Sequence, residues 1–184
     1  MERALPEASG CSGDLVRAGA GDFATLFDQY SVRITTYLTR MVGDRYLAED
    51  LTQDTFLKAY RALRDGRVID RPSSWLYAIA TNTALSALRR RRILSFLSLQ
   101  SYHGWTDGVD DPESYADREP VLKALRTLSA DHRAVLLLCL YEGLSYQEVG
   151  EVLGVSSEVV KGRVFRARQA FIRSYRRITE GCIG

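Results

Sequence analysis

The stretch GLSYQEVGEVLGVSSEVVKGRVFRAR, residues 143–168, decides the fold of its half of the chain. Gly143 breaks the preceding segment. Ser145 followed three residues later by Glu148 is a capping box, in which each side chain satisfies the other's free backbone N–H at a helix start. Val149, Val152 and Leu153 supply an apolar face, Gly154 permits a tight turn, Val155 packs there, and Ser156 or Ser157 caps a longer helix. On that second helix Val160, Val164, Ala167 and Phe171 share the inward side. Lys161, Gly162, Phe165 and Arg166 occupy another face, with Arg163, Arg168 and Arg173 around them. A short helix, a glycine turn and a basic helix held from behind are what a major-groove reader needs. An ordinary helical hairpin with a charged surface would share the periodicity. The agreement of all three features favours DNA binding.

Upstream of this motif the pattern stays helical. Phe23, Leu26, Phe27, Tyr30, Ile34, Tyr37, Leu38 and Met41 recur at three-and-four spacing until Gly43-Asp44. A second helix is expected from Tyr46 to Leu63, with Leu47, Leu51, Ala59 and Leu63 on its buried side. Asp50, Gln53, Asp54 and Leu57 form a separate stripe on it. After a loop over 64–74 containing Gly66 and Pro72, a third helix carries Trp75, Leu76, Ile79, Ala80 and Leu88 into an arginine run. Residues 95–120 hold Gly104, Gly108, Pro112 and Pro120 with no sustained period, and read as a linker. Fully extended, such a segment reaches about 85 Å. Val121, Leu122, Leu125 and Leu128 then open a second domain, Ser129-Ala130-Asp131 starts its next helix, and the apolar run 134–140 reads as its centre. The fold expected is all-α: a domain over 1–94 with 1–20 partly disordered, a flexible acidic linker over 95–120, a domain over 121–177, and a frayed tail over 178–184.

The 184 residues carry 25 basic and 23 acidic side chains, for a formal charge of +2, but these are unevenly spread. Residues 61–94 hold 8 basic against 2 acidic and end in Arg89-Arg90-Arg91-Arg92, while 95–120 hold 1 against 6. Residues 158–184 return to 7 against 2. Two basic zones flanking an acidic one suggest two contacts with a polyanion. Hydrophobic residues make up 46% and charged residues 26%, a globular composition. No apolar run has membrane-spanning length and the N-terminus lacks a signal-peptide pattern, so a cytoplasmic protein without membrane insertion is expected. Cys11, Cys139 and Cys182 form no paired motif, and Cys139 reads as a core residue. His103 and His132 have no companions that would make a metal or catalytic cluster, so no enzyme, metal or cofactor is expected.

Three blocks together resemble the extracytoplasmic-function (ECF) sigma factors, the small two-domain subunits that direct bacterial RNA polymerase to promoters. Residues 48–60 (AEDLTQDTFLKAY) look like the polymerase-docking helix of the sigma-2 domain. Residues 74–82 (SWLYAIATN), followed by Leu88-Arg89-Arg90, look like its melting and minus-10 helix. Leu144 to Arg168 looks like the sigma-4 helix-turn-helix that reads the minus-35 element. The resemblance covers about residues 22–94 and 120–176 in the family's order.

It implies an alternative sigma factor that binds core polymerase through its β′ and β subunits, starts transcription at specific promoter DNA, and is controlled by an anti-sigma factor. Asp50, Gln53, Asp54 and Leu57 would dock on polymerase. Asn82 would hold an unstacked minus-10 base, its amide donating and accepting along the base edge. Trp75 matches the family's aromatic position, with core packing weighed above stacking. Arg89, Arg90 and Arg91 would follow the phosphates of the opened strand. Lys161, Gly162, Arg163, Phe165 and Arg166 would face the minus-35 groove. The acidic linker is either a removable nucleic-acid mimic inside polymerase or a solubilising tether. Loose packing of the two domains on each other is expected to weaken DNA binding without polymerase.

The chain also departs from the family pattern. Glu158-Val159 stands where Gly-Thr is usual and Gly162 where Ser is usual. Ala78 replaces a common Arg, Ser86 a frequent Asp, and the loop 64–74 lacks the usual Phe. The apolar run Ile93 to Leu99 is expected to extend the third helix so that it touches the other domain or an inhibitor. The rival account is a stand-alone helix-turn-helix transcriptional regulator, which would bind duplex DNA but not polymerase.

Overall fold

The computed structural model describes residues 20–98 and 115–180. The expected disordered start, Cys11, His103, most of the acidic linker and the end of the tail with Cys182 lie outside the described residues.

Two antiparallel helices open the chain, α1 (Ala20–Val42) and α2 (Arg45–Arg64). They part at Gly43, whose φ of 74° is the left-handed value that glycine adopts without a Cβ penalty. Asp44 then caps α2, its carboxylate accepting from the Leu47 N–H at 3.1 Å. Helix α3 (Pro72–Ser98) starts on a proline, where a missing N–H costs nothing and φ is preset. Leu26, Ile34, Leu38, Met41, Leu51, Phe56, Leu63 and Leu76 fill the space between the three. The Tyr37 hydroxyl pairs with Thr81 Oγ1 at 2.7 Å inside this core, and burial raises that phenol far above its ordinary range.

The second group comprises α4 (Tyr115–Arg126), α5 (Ala130–Leu136), α6 (Tyr146–Leu153) and α7 (Ser157–Glu180). Helix α3 runs four residues into the expected linker and takes in residues 93–98 of the apolar run. At the other end α4 begins at Tyr115 and passes through Pro120. The ring removes one helical bond there without ending the helix, which is why proline misplaced the boundary. Helix α7 likewise continues past residue 177 to Glu180. Helix α5 is continued by a π-helical turn, Leu137–Tyr141, closed by the Glu142 N–H on the Leu137 carbonyl at 2.9 Å. Cys139 sits half-buried in that turn, and burial pushes its thiol up to about 11.

The groups α1–α3 and α4–α7 share one continuous hydrophobic core. Helix α6 lies along α3, while α5 and the π turn touch α1. Polar ties cross the same boundary. Glu142, with its side chain only 2% exposed, accepts from Arg33 Nη2 at 3.3 Å and from the Tyr77 hydroxyl. Arg71 Nη1 reaches both Glu151 oxygens, at 2.8 and 3.1 Å. The Arg40 guanidinium lies 3.6 Å from the centre of the Tyr141 ring. Arg133 is buried where helix ends converge. It donates to the carbonyls of Leu125, Arg126 and Leu128 at 3.0, 3.0 and 3.2 Å, and to that of Met41 at the end of α1. A cation is well placed there, because carbonyl dipoles at helix C-termini present partial negative charge.

Candidate nucleic-acid interface

The first candidate surface is a hollow between α3, the end of α2 and the loop before α3. A cavity of about 370 Å³ is lined by Lys58, Ala62, Arg67, Trp75, Ile79, Asn82, Thr83 and Ser86. Asn82 is exposed and Trp75 half-buried, so the indole forms part of the wall while the amide is open to a ligand. The Lys58 ammonium is steered by Thr83 Oγ1 at 2.8 Å. An amide, a steered ammonium, a guanidinium and an aromatic edge around one concavity suit a nucleobase with its phosphate. Trp75 and Asn82 are thus brought together, as their seven-residue spacing on one helix face requires. Lys58 and Arg67 join them. Neither was singled out from the sequence, since each lies in a segment whose placement over α3 is tertiary. Ser86 lies on the same wall, where its missing carboxylate leaves the hollow without an acidic group among the lining residues.

Farther along α3, Arg89 and Arg90 are exposed, but Arg91 turns to Asp44 at 3.5 Å. Four consecutive residues cannot share one helix face, so the run divides.

The second surface is a ridge on α7. Ser145 caps α6 as the spacing requires: its hydroxyl accepts from the Glu148 N–H at 3.3 Å, and Glu148 Oε2 takes the Ser145 N–H at 2.8 Å. Gly154 has φ 65°, and Ser156 Oγ accepts from the Val159 N–H at 3.4 Å. Val160, Val164 and Ala167 are fully packed, with Phe171 half-buried. Lys161, Arg166 and Phe165 project outward, Phe165 with 65% of its surface exposed. Gly162 and Arg163 are half-buried beside them. A Cβ on Gly162 would meet nothing nearer than Arg166 Nη2 at 3.9 Å, so packing does not demand glycine there. Gly150 is the opposite case and was not singled out from the sequence. A Cβ there would come within 2.6 Å of the Val155 carbonyl oxygen, so this glycine lets the turn fold back on α6.

The third feature is the stripe on α2. Asp50, Gln53, Asp54 and Leu57 are all exposed, Leu57 by 47%. Beside them Phe23, Phe27, Phe56 and Tyr60 form an edge-to-face cluster with ring centres 4.9–6.4 Å apart. The stripe is acidic and bordered by aromatics of which Phe27 and Tyr60 are exposed, unlike the two cationic faces. Among the described residues no group of His, Cys, Asp and Glu could hold a metal ion, and no helix is long and apolar enough to cross a membrane.

Both halves of the chain match known families. The family description "Sigma-70 region 2" matches residues 26–93, and "Sigma-70, region 4" matches residues 118–171. RNA polymerase sigma factor YlaC of Bacillus subtilis is 36% identical over 148 residues, which are 78% of this chain and 86% of that protein. ECF RNA polymerase sigma factor SigE of Mycolicibacterium smegmatis is 34% identical over 158 residues, 82% of this chain and 60% of that one. Among solved structures, the sigma factor RpoE of Bartonella quintana, in complex with its anti-sigma factor NepR, superposes with a TM-score of 0.72 at 25% identity. That match covers 84% of this chain and 97% of RpoE.

Proposed function

Since the chain belongs to the extracytoplasmic-function sigma factors of the sigma-70 family, we propose that its three surfaces divide the work of promoter-specific initiation. Helices α1–α3 act as the sigma-2 domain and α4–α7 as the sigma-4 domain. The stripe Asp50, Gln53, Asp54 and Leu57 docks on the β′ subunit of core polymerase, and the sigma-4 domain engages β. Asn82 receives an unstacked minus-10 base, with Trp75 as the wall and Lys58 and Arg67 at the adjacent phosphates. Arg89 and Arg90 follow the opened strand, while Arg91 instead fixes α3 to the start of α2. Lys161, Arg163, Phe165 and Arg166 enter the major groove at minus-35, over Gly162. The chain works in the cytoplasm, where polymerase is, and performs no catalysis of its own.

The observation that carries this reading is the hollow around Asn82. It joins an exposed base-edge amide to an aromatic wall and two cations on the same bundle as the acidic docking stripe. The family supplies a regulator as well: the matched RpoE was solved with an anti-sigma factor bound. We extend that class of partner to this chain.

Run-off transcription with core polymerase and a pool of promoter fragments tests the proposal. Specific transcripts are expected, and are expected to vanish with Asp50→Arg or Gln53→Ala. Duplex binding without any binding of core polymerase would replace this account by the stand-alone regulator.

A further inference from the structure

The residues assigned to the reading ridge end at Arg166, near the middle of α7, but the helix runs on to Glu180. At about 3.6 residues per turn, Gln169, Arg173 and Arg176 return to the side that carries Phe165 and Gly162. All three are exposed. The opposite side is packed along the same length, from Val160 through Val164 and Ala167 to Ser174. The ridge is therefore continuous. Arg173 lies about 10 Å and Arg176 about 15 Å beyond Arg166 along the axis, at roughly 1.5 Å per residue.

The common reasons for surface arginines do not account for these two. A cation gains from the helix dipole only within the last turn, where Arg177 stands. Neither Arg173 nor Arg176 makes an ion pair or a side-chain hydrogen bond among the described residues. A solvated face usually mixes signs, as α2 does with four basic and three acidic side chains. Between Glu158 and Glu180, α7 carries seven basic side chains and no acidic one. Like charges three and four residues apart repel, and a bound polyanion removes that cost.

Duplex geometry says where such a polyanion lies. A straight helix cannot follow a groove that winds around the DNA. Its start can sit among base edges in a groove about 12 Å wide, but its far end rises over the bordering sugar-phosphate strand. Resting on the reading of α7 as the minus-35 ridge, we propose that Arg173 and Arg176 form a second, sequence-independent contact, holding the phosphates that border one edge of the element. The first half of α7 reads and the second half anchors. An acidic protein surface would offer the same charge, but continuity with the reading face favours the phosphates.

The test uses the intact chain and a duplex carrying an element that this chain selects from random-sequence DNA. R173A/R176A should lower affinity about tenfold at roughly 0.1 M salt and lessen the slope of log affinity against log salt by about two, leaving the ranking of element variants unchanged. R173K/R176K should keep most of both, because a phosphate accepts a point charge. Ethylation of the phosphates along one edge should interfere with wild-type binding and cease to interfere in R173A/R176A. On a duplex trimmed to the element itself, the two proteins should bind alike. Both side chains are exposed, so helical circular dichroism and melting temperature should not change. An unchanged salt slope and ethylation pattern overturns the anchor, as does an equal loss on trimmed and long duplexes. Failure of the chain to enrich any duplex overturns it too, even where core polymerase transcribes. Lost transcription with unchanged duplex binding overturns it in favour of an acidic protein partner. Edge contacts that behave as expected, with no transcript from wild type and core polymerase, would instead refute the sigma reading and leave the anchor standing.

Discussion

The two reading surfaces are built in opposite shapes from similar chemistry. Around Asn82 the protein is concave, and its cations stand at the rim of a cavity of about 370 Å³. On α7 it is convex, with Phe165 and Arg166 projecting from a helix whose opposite side is packed. A cavity takes in something narrow that has left its stack; a ridge is itself taken into something wide. The hollow is thus suited to a strand already opened and the ridge to an intact duplex. Shape, more than charge, divides the labour.

Substitutions can break that division or sharpen it. Among changes to the two reading surfaces, the largest effect is expected for Asn82→Ala, which removes the only exposed amide in the hollow's lining. Loss of a base-edge amide of this kind costs about 1–3 kcal/mol. Transcription should fall by up to about 100-fold while duplex binding through α7 is retained. Equal losses in both assays would end the separation of roles. Next comes Gly150→Ala, where a methyl meets the Val155 carbonyl oxygen. Overpacking of this sort costs about 1–3 kcal/mol, so thermal unfolding of the second bundle should move down and carry duplex binding with it. An unshifted melting temperature would show that the turn has slack.

A smaller change is expected for Arg166→Ala. If the guanidinium meets a phosphate, affinity should drop nearly uniformly across sequences and the salt slope should lessen by about one; if it reads a base, discrimination should relax at one position. Smallest is Glu158→Gly, which removes an exposed carboxylate from the first turn of α7. Less repulsion of the DNA backbone should tighten duplex binding a few-fold and make it less selective. Equal or weaker affinity in a titration at fixed salt would count against it.

Much of this architecture is legible in the residues because local rules decide it. Asp44, Pro72, Ser145 with Glu148, and Gly154 mark helix ends through bonds made within a few residues. The exposed stripe on α2 follows from its period alone. Other features hinge on atoms brought from far along the chain. Nothing near Gly150 announces that Val155 will return over it, and nothing near Glu142 announces Tyr77 sixty-five residues away. Pro120 and the glycines of the acidic stretch speak for a break, yet both neighbouring helices run into that stretch. The expected weakening of DNA binding by packed domains also meets a different arrangement: the bundles do pack, but through faces that leave the basic ridge open.

Arg133 bears on how such a chain can be taken apart and reused. Three of the four carbonyls it serves belong to its own bundle, and one, at Met41, to the other. Removing the first bundle would strip it of a single acceptor that water can replace. The polar wiring of this corner is therefore local to the second half, and it is the shared apolar core that ties the halves together. An unrelated partner placed before it would leave this wiring in place but would have to cover the apolar faces of α5 and α6 that the first bundle now covers.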